Sequence, residues 1–479
     1  MGMLQTIPQN LHRVRVEGEP LWFHIPTTSL FAPDLVSEAI LKALDDHQGL
    51  SLDALRAELS HQRCATDIGA ELDERVAQLK ALKLVTEGAV VAYNPSVEVE
   101  QIPLSTVVLN VNTGCNLSCS YCYKEDLDNP RDGKKMDLAT ARSSIELMLR
   151  EAPWRDRYNV VFFGGEPLSN MPLIRDVVAW AEARIHGLGK AVDFTLTTNA
   201  TLLNEERIAF FQEHRFGLTV SMDGPKAVHD KNRIAVNGQG TYDLVARRIK
   251  PLLAKYRARP VGARVTLTQG VTDVVGIHHH LVNELGFAEA GFAPVTSGDM
   301  AAYNLSSEEL HEVFEGMVTL GERAVEAAIE GRDIGFGNFN QLLTDLWEGR
   351  SKAVPCGAGL GLVSVDHAGD VHLCHRFTGS DMPTFGNVDS GLDHAGLKQF
   401  VEARSDRTTR GCADCRIRNL CSGGCYHESY ARYGDPMTPT YHYCDLMRDW
   451  VDFGIQAYAR IQKYNPAFFD GPLAGRQSA

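Results

Sequence analysis

The chain has 479 residues, 44% hydrophobic and 23% charged, which predicts about two to four folded domains and little disorder. Its 47 Lys and Arg against 61 Asp and Glu give a formal charge of −14, a poor balance for a non-specific nucleic-acid binder. With no run of 18 or more apolar residues, and no apolar leader core in MGMLQTIPQNLHRVRV, no membrane partner and a cytoplasmic home are expected.

Residues 1–100 form the first region. RVRVEG and LWFHIP alternate as strands do. LVSEAILKALDD sets Leu35, Ile40, Leu41 and Leu44 at helical spacing, and LDALRAELS and ELDERVAQLKALKLV follow the same rule. Short strands with three helices resemble a winged-helix module. In peptide-modifying enzymes that module recognises a precursor peptide by adding it as a strand to its sheet edge. The plain alternative is a small helical cap.

Residues 101–300 alternate apolar strands with helical stretches. The strands are STVVLNVN, YNVVFFGG, VDFTLTTN, FGLTVSMDG, ARVTLTQG and EAGFAPV. Near-continuous apolar runs separated by helices imply an α/β fold with a parallel sheet under helices, here a partial (β/α)6 barrel. Chemistry in such sheets lies at the C-terminal ends of the strands. Residues 301–350 read as a helical bridge. Residues 351–479 are rich in Cys and Gly and weak in periodicity until a last helix at about 445–463. A stretch with so little core of its own is usually held by metal.

Ten of the eleven cysteines fall at 115–122 and 356–444. Disulfides are rare in a reducing compartment, so this clustering points to metal. In TGCNLSCSYCYKE three residues separate Cys115 from Cys119 and two separate Cys119 from Cys122. Three thiolates on one loop can hold three irons of a [4Fe–4S] cubane and leave the fourth iron open. Zinc is the rival reading and would need a fourth ligand. The strand ends then present Gly164-Gly165-Glu166-Pro167, Thr198-Asn199 and Ser221-Met222-Asp223-Gly224-Pro225 in order. Each alone is an ordinary strand-to-helix turn. Glycines let backbone approach a ligand, and a carboxylate can pair with an ammonium.

Together these motifs resemble the radical S-adenosylmethionine (SAM) superfamily, which carries C-x3-C-x2-C with an aromatic residue such as Tyr121 before the last cysteine. The resemblance implies that SAM chelates the open iron. Gly164, Gly165 and Glu166 would hold its amino group, and Asn199 and Ser221 would face its ribose and carboxylate. Arg233 of HDKNR can meet a carboxylate, although such an Arg more often pairs on the surface.

In the C-terminal group twelve residues, Gly369 and four residues lie between Cys356 and Cys374. Cys412-x2-Cys415-x5-Cys421-x3-Cys425 follows, and Cys444 comes eighteen residues later. This pattern resembles the SPASM domain, which carries two auxiliary [4Fe–4S] clusters and would bring the total to three. Two zinc sites are the alternative, one ligand short of eight. The resemblance assigns Cys356, Cys374 and Cys425 to an inner cluster, and Cys412, Cys415, Cys421 and Cys444 to an outer one. No cysteine occurs in 357–373, so the inner cluster is expected to keep a position open for a substrate thiolate.

In the sulfatase-maturing branch an Asp base directly follows the second SPASM cysteine; here that residue is His375, a candidate base. Cys64 reads as a small buried residue, and His278-His279-His280 as surface. The order of parts most resembles the thioether-forming maturases of the quinohemoprotein amine dehydrogenase kind. They join Cys sulfur to Asp or Glu methylene carbons in a peptide or small subunit through a 5′-deoxyadenosyl radical. The implied partners are a cysteine-containing peptide and an external electron donor. A carbon–carbon crosslinking maturase of the pyrroloquinoline quinone type and a non-catalytic iron–sulfur scaffold are the alternatives.

Overall fold

The computed structural model describes residues 2–61, 68–123, 133–295, 301–408, 411–439 and 442–474. The first part opens with β1 (Gln5–Thr6), then β2 (Leu11–Val16), β3 (Glu19–His24) and β4 (Ser29–Phe31). β2, β3 and β4 form an antiparallel sheet. Its first turn, Glu17-Gly18, takes φ 51° and 88°, the left-handed geometry that matches a two-residue hairpin to strand twist. Three helices follow: α1 (Leu35–Asp46), α2 (Leu52–His61) and α3 (Ile68–Ala81), before β5 (Val85–Thr86) returns to pair with β1.

The Asp34 side chain accepts from the Ser37 N–H and starts α1. α3 stops earlier than its apolar spacing predicts, because Lys83 turns to φ 56° and frees Val85 for pairing. Trp22, Ile40, Leu44, Leu55, Leu72 and Val76 share a core of their own. Phe23 and Ile25 belong instead to the main core, so both faces of β3 are covered.

The main sheet carries the six expected parallel strands: β6 (Thr106–Asn110), β7 (Arg157–Phe163), β8 (Ala191–Thr198), β9 (Gly217–Ser221), β10 (Val261–Leu267) and β11 (Glu289–Pro294). Helices α4 (Leu138–Glu151), α5 (Met171–His186), α6 (Glu205–Glu213), α7 (Lys226–Asn232), α8 (Tyr242–Lys255) and α9 (Val274–His278) connect them. Alternation sorts the side chains. Phe162, Leu218, Val220, Val265 and Leu267 are buried in the core. Phe163, Thr219, Ser221, Arg264 and Thr266 face the opposite way, into a cavity.

The bridge is helical as expected, with α10 (Ser307–Ile329) and α11 (Gly337–Trp347). The sheet does not stop at six strands. β12 (Leu362–Val365) adds parallel to β6, and β13 (Val371–His372) pairs antiparallel with β12. The cysteine-rich region therefore grows out of the barrel sheet and shares its core through Val363, Val365, Leu397 and Phe400. It continues through β14 (Gly386–Asn387), β15 (Gly391–Leu392), α12 (His394–Ser405), α13 (Arg418–Cys421) and α14 (Tyr426–Tyr433). α15 (Cys444–Tyr464) packs on α10, α11 and β2 rather than lying over the cysteines alone. Among the described residues no helix is long and apolar enough to cross a membrane.

Candidate active site: a cysteine loop over the barrel mouth

Cys115, Cys119 and Cys122 lie on the loop after β6, and neighbouring segments hold that loop in place. The N–H groups of Ser118 and Ser120 donate to the carbonyls of Ile234 (2.8 Å) and Asn232 (3.0 Å), and the Ser120 hydroxyl donates to Asn232 Oδ1 (2.8 Å). The HDKNR stretch thus clamps the loop backbone. Tyr121 OH donates to Asp223 Oδ2 at 2.6 Å, and Arg233 grips the same carboxylate at 2.9 and 3.1 Å. Arg233 is a buried partner of Asp223, not a surface ion pair. That pairing is charge-assisted and forked, so it fixes orientation as well as charge.

The glycines of 164–165 border the cavity and also let two backbone segments meet. A Cβ at Gly165 would lie 2.1 Å from the Gly114 carbonyl oxygen, and one at Gly164 would lie 2.3 Å from that of Asn112. Their absence lets the end of β7 press against the cysteine loop, where Gly165 N–H donates to Asn112 O and Glu166 N–H to Gly114 O, both at 3.1 Å. Glu166 is then locked. Its Oε1 accepts from Thr198 Oγ1 (2.7 Å) and Leu168 N–H (3.0 Å), and its Oε2 accepts from Asn199 N–H (2.8 Å). Burial raises its pKa to about 7 against the pull of those three donors.

Asn199 reaches back to the loop, with Nδ2 3.0 Å from Asn116 Oδ1 and 3.7 Å from Cys115 Sγ. The three cysteines and all seven residues expected to hold SAM border one cavity of about 440 Å3, a size ordinary for a small-molecule site. His375 borders it too, its ring 4.1 Å from that of Phe163. A second cavity of about 380 Å3 shares Arg264, Ala293, Pro294 and Arg376 with the first and extends to Cys425.

Do these residues suit iron–sulfur clusters? The ten described cysteines are free thiols. Cys412, Cys415, Cys421 and Cys444 border one enclosed pocket of about 80 Å3. Cys374 feels the charges of Cys425 and Cys356, whereas Cys421 feels those of Cys415, Cys444 and Cys412. The seven therefore divide into three and four. Burial pushes Cys115, Cys374 and Cys421 each up to about 12 and Cys119 to about 11. Such thiols become thiolates only when a metal displaces their protons, as cluster ligands require. Among the described residues no three His, Cys, Asp or Glu side chains close on a single ion, and a multi-iron cluster spreads its thiolates wider than one tetrahedral zinc does. The donor sets fit clusters.

Two expectations need separate mention. His278 is buried, its ring meeting Phe336 edge-on, and only its neighbour His279 is well exposed. α9 extends to His278 and turns it inward, so the triplet is not a surface run. Cys64 lies outside the described residues. Sequence reasoning passed over Asp223, Arg264 and Arg376. Arg264 carried a signal, because it is the charged residue at a cavity-facing position of an otherwise apolar strand.

Residues 109–274 match the radical SAM superfamily. A serine-type anaerobic sulfatase-maturating enzyme of Bacteroides thetaiotaomicron is 32% identical over 425 residues, covering 78% of this chain and 96% of that protein. A cysteine-type anaerobic sulfatase-maturating enzyme of Clostridium perfringens is 24% identical over 372 residues, covering 74% and 96%. The solved structure of anSMEcpe with bound AdoMet and a Cp18Cys peptide superimposes with a TM-score of 0.62 at 22% identity, covering 75% of this chain and 98% of that one. The finer likeness to maturases of quinohemoprotein amine dehydrogenase finds no support in these relatives.

Proposed function

This chain belongs to the radical SAM superfamily and is a homologue of the anaerobic sulfatase-maturating enzymes, and from that premise we propose that it modifies a cysteine-containing peptide or small protein subunit by joining Cys sulfur to the methylene carbon of an Asp or Glu. Membership implies a [4Fe–4S] cluster and SAM, which together supply a 5′-deoxyadenosyl radical. On this reading Cys115, Cys119 and Cys122 hold that cluster. Glu166, Asn199, Ser221 and the Gly164–Gly165 backbone bind SAM, with Tyr121 and Arg233 bracing the loop through Asp223. Cys356, Cys374 and Cys425 hold an inner auxiliary cluster, and Cys412, Cys415, Cys421 and Cys444 an outer one.

The observation that carries this reading is the adjoining pair of cavities. One is bordered by the three-cysteine loop, and the other reaches Cys425 of a set with no fourth cysteine. A substrate lying across both would present a methylene to the radical and a thiol to the inner cluster. The methylene would give one hydrogen atom to the 5′-deoxyadenosyl radical and the thiol its proton to His375, and an oxidised cluster held by Cys356, Cys374 and Cys425 would supply the acceptor for the one electron that carbon–sulfur bond formation releases. The peptide thereby loses two hydrogens for each bond formed. The enclosing walls keep water from the radical. Residues 1–100 would dock the rest of the peptide through the β2–β3–β4 sheet.

The decisive test is mass spectrometry of a cysteine-containing peptide encoded beside this gene, after anaerobic incubation with reconstituted protein, SAM and reductant. A loss of two hydrogens per bond, with the thiol closed to alkylation, supports the thioether. Loss of two hydrogens with every thiol still alkylatable points to a carbon–carbon crosslink or to oxidation at another residue. The sulfatase-maturating relatives favour a second reading, modification of a single Cys or Ser; His375, at the position where the resemblance to that branch implies an Asp base, weighs against it.

A further inference from the structure

Arg264 is the one charged side chain on an otherwise apolar strand. It lies on β10, between Ser221 of β9 and Gly291 of β11, with strands on both sides. It points into the barrel and borders both cavities. Among the described residues its guanidinium has no hydrogen bond and no ion pair. The carboxylates nearby are committed elsewhere. Glu166 takes three donors. Asp223 takes Tyr121, the fork of Arg233 and the Thr266 N–H. Glu428 borders the second cavity and is shared between Arg432, at 3.7 Å, and the charge of Arg376. The charge that bears on Arg264 is another cation, Arg376, whose guanidinium lies 5.1 Å from the Tyr123 ring centre and borders the same two cavities. Arg264 is open to the cavity, where water can solvate it, and two like charges bordering the same cavities concentrate positive potential there. An arrangement like this is expected where a bound anion completes the site, and a guanidinium fork fits a carboxylate in two bonds.

We propose that Arg264 and Arg376 form a clamp for a side-chain carboxylate of the substrate, holding an Asp or Glu at the junction of the two cavities with its methylene turned toward the SAM cavity. The naming of Asp or Glu rests on the thioether reading above; the clamp itself rests on the unpaired guanidinium. Arg264 and Arg376 are positioning and specificity residues here, because they hold the acid whose carbon reacts.

The test uses reconstituted holoenzyme with SAM and radiolabelled capped amino acids in equilibrium dialysis. N-acetyl-glutamate amide, with only its side-chain carboxylate, should bind about tenfold or more tightly than N-acetyl-glutamine amide. Arg264→Gln should abolish that preference, and Arg264→Lys should restore part of it. If Arg264→Gln fails to fold, Arg376→Gln and Arg264→Lys make the same comparison. Equal binding of the two probes by the unaltered enzyme overturns the clamp. So does an unchanged preference in Arg264→Gln together with weakened SAM binding, which would give the guanidinium to SAM's own carboxylate. N-acetyl-glutamine with a free α-carboxylate binding as well as capped glutamate would assign the clamp to a chain terminus and overturn the side-chain claim. Because dialysis needs no crosslink, a glutamate preference beside an unmodified peptide would refute the thioether reading and leave the clamp standing.

Discussion

The two cysteine regions are held by different means. The barrel loop with Cys115, Cys119 and Cys122 is braced by backbone pairing to 232–234 and by the Tyr121–Asp223–Arg233 network. The stretch from Cys356 to Cys444 has little regular structure and is braced by buried arginines. Arg418 donates to the carbonyls of Gln9, Tyr93 and Cys415 and to Asn10 Oδ1. Arg407 donates to Asn419 Oδ1 and the Lys352 carbonyl, and Arg404 to the Gly423 carbonyl. A guanidinium has five donors in one plane and can satisfy several loop carbonyls that no strand or helix pairs. Buried arginines thus hold the loops of this region where its share of the barrel core does not reach.

The largest expected effect breaks this comparison most directly. Cys115→Ala should cut 5′-deoxyadenosine formation by about 1000-fold or more, roughly 4 kcal/mol in the barrier. The apo protein's thermal midpoint should hardly move, since hydrogen bonds and not metal hold the loop. Cys421→Ala should lower the midpoint of the loaded protein further than Cys115→Ala does. If Cys115→Ala unfolds the barrel, the bracing argument fails.

Next comes Arg418→Ala. It would leave the Gln9 and Tyr93 carbonyls without their donor, take one of two donors from Asn10 Oδ1 and from the Cys415 carbonyl, and separate the first 100 residues from the outer cysteine set. The expected cost is about 3–5 kcal/mol, measured by denaturant unfolding. Arg418→Lys should recover little, because an ammonium lacks the planar fork. Recovery of most of the loss by Lys would show that charge, not donor geometry, makes the brace.

The two regions were unequally legible in the sequence. Strands β6–β11 could be read because a parallel strand covered on both faces is a near-continuous apolar run. The cysteine sets could be singled out because their grouping is written as spacing. β12 was missed: four residues, LVSV, carry too little pattern to show that the sheet continues past the bridge. α12 was missed although Asp393 caps it and Leu397, Phe400 and Val401 follow at helical spacing, because Gly and Cys dominate its surroundings. The arginine braces were not legible at all. Arg418 and Tyr93 are 325 positions apart, and no local pattern records such a partner. Gly164 and Gly165 were recognised for ligand approach, but their close fit against the cysteine loop was not, since spacing does not record an approaching loop.

A smaller effect sharpens that last point. Gly165→Ala would place a methyl 2.1 Å from the Gly114 oxygen, next to Cys115. Overpacking of this kind costs about 1–3 kcal/mol. It should appear as reduced iron per chain at the barrel site, read in a variant whose C-terminal cysteines are replaced. Unchanged iron there would mean that β7 and the cysteine loop are not held as tightly as their hydrogen bonds imply.

The finest distinction is one of protonation. The arginine braces of the C-terminal region stay charged across ordinary pH, whereas the barrel's includes Glu166, which burial raises to about 7 from the usual 4.5. The folded protein therefore holds a proton on Glu166 where the unfolded chain has released it. Its contribution to stability is full below about 4.5 and is lost as pH rises through about 7, at roughly 1.4 kcal/mol per pH unit within that window. Glu166→Gln removes the titration and leaves a fixed offset. Glu428, also raised to about 7 by burial, titrates in both proteins and cancels. The stability of apo wild type minus apo Glu166→Gln should therefore decline with pH between about 5 and 7 and level off above. A flat difference would mean that Glu166 is already ionised when buried, with the three donors from Leu168, Thr198 and Asn199 outweighing desolvation. The barrel's brace would then be as insensitive to pH as the arginines that hold the other cysteines.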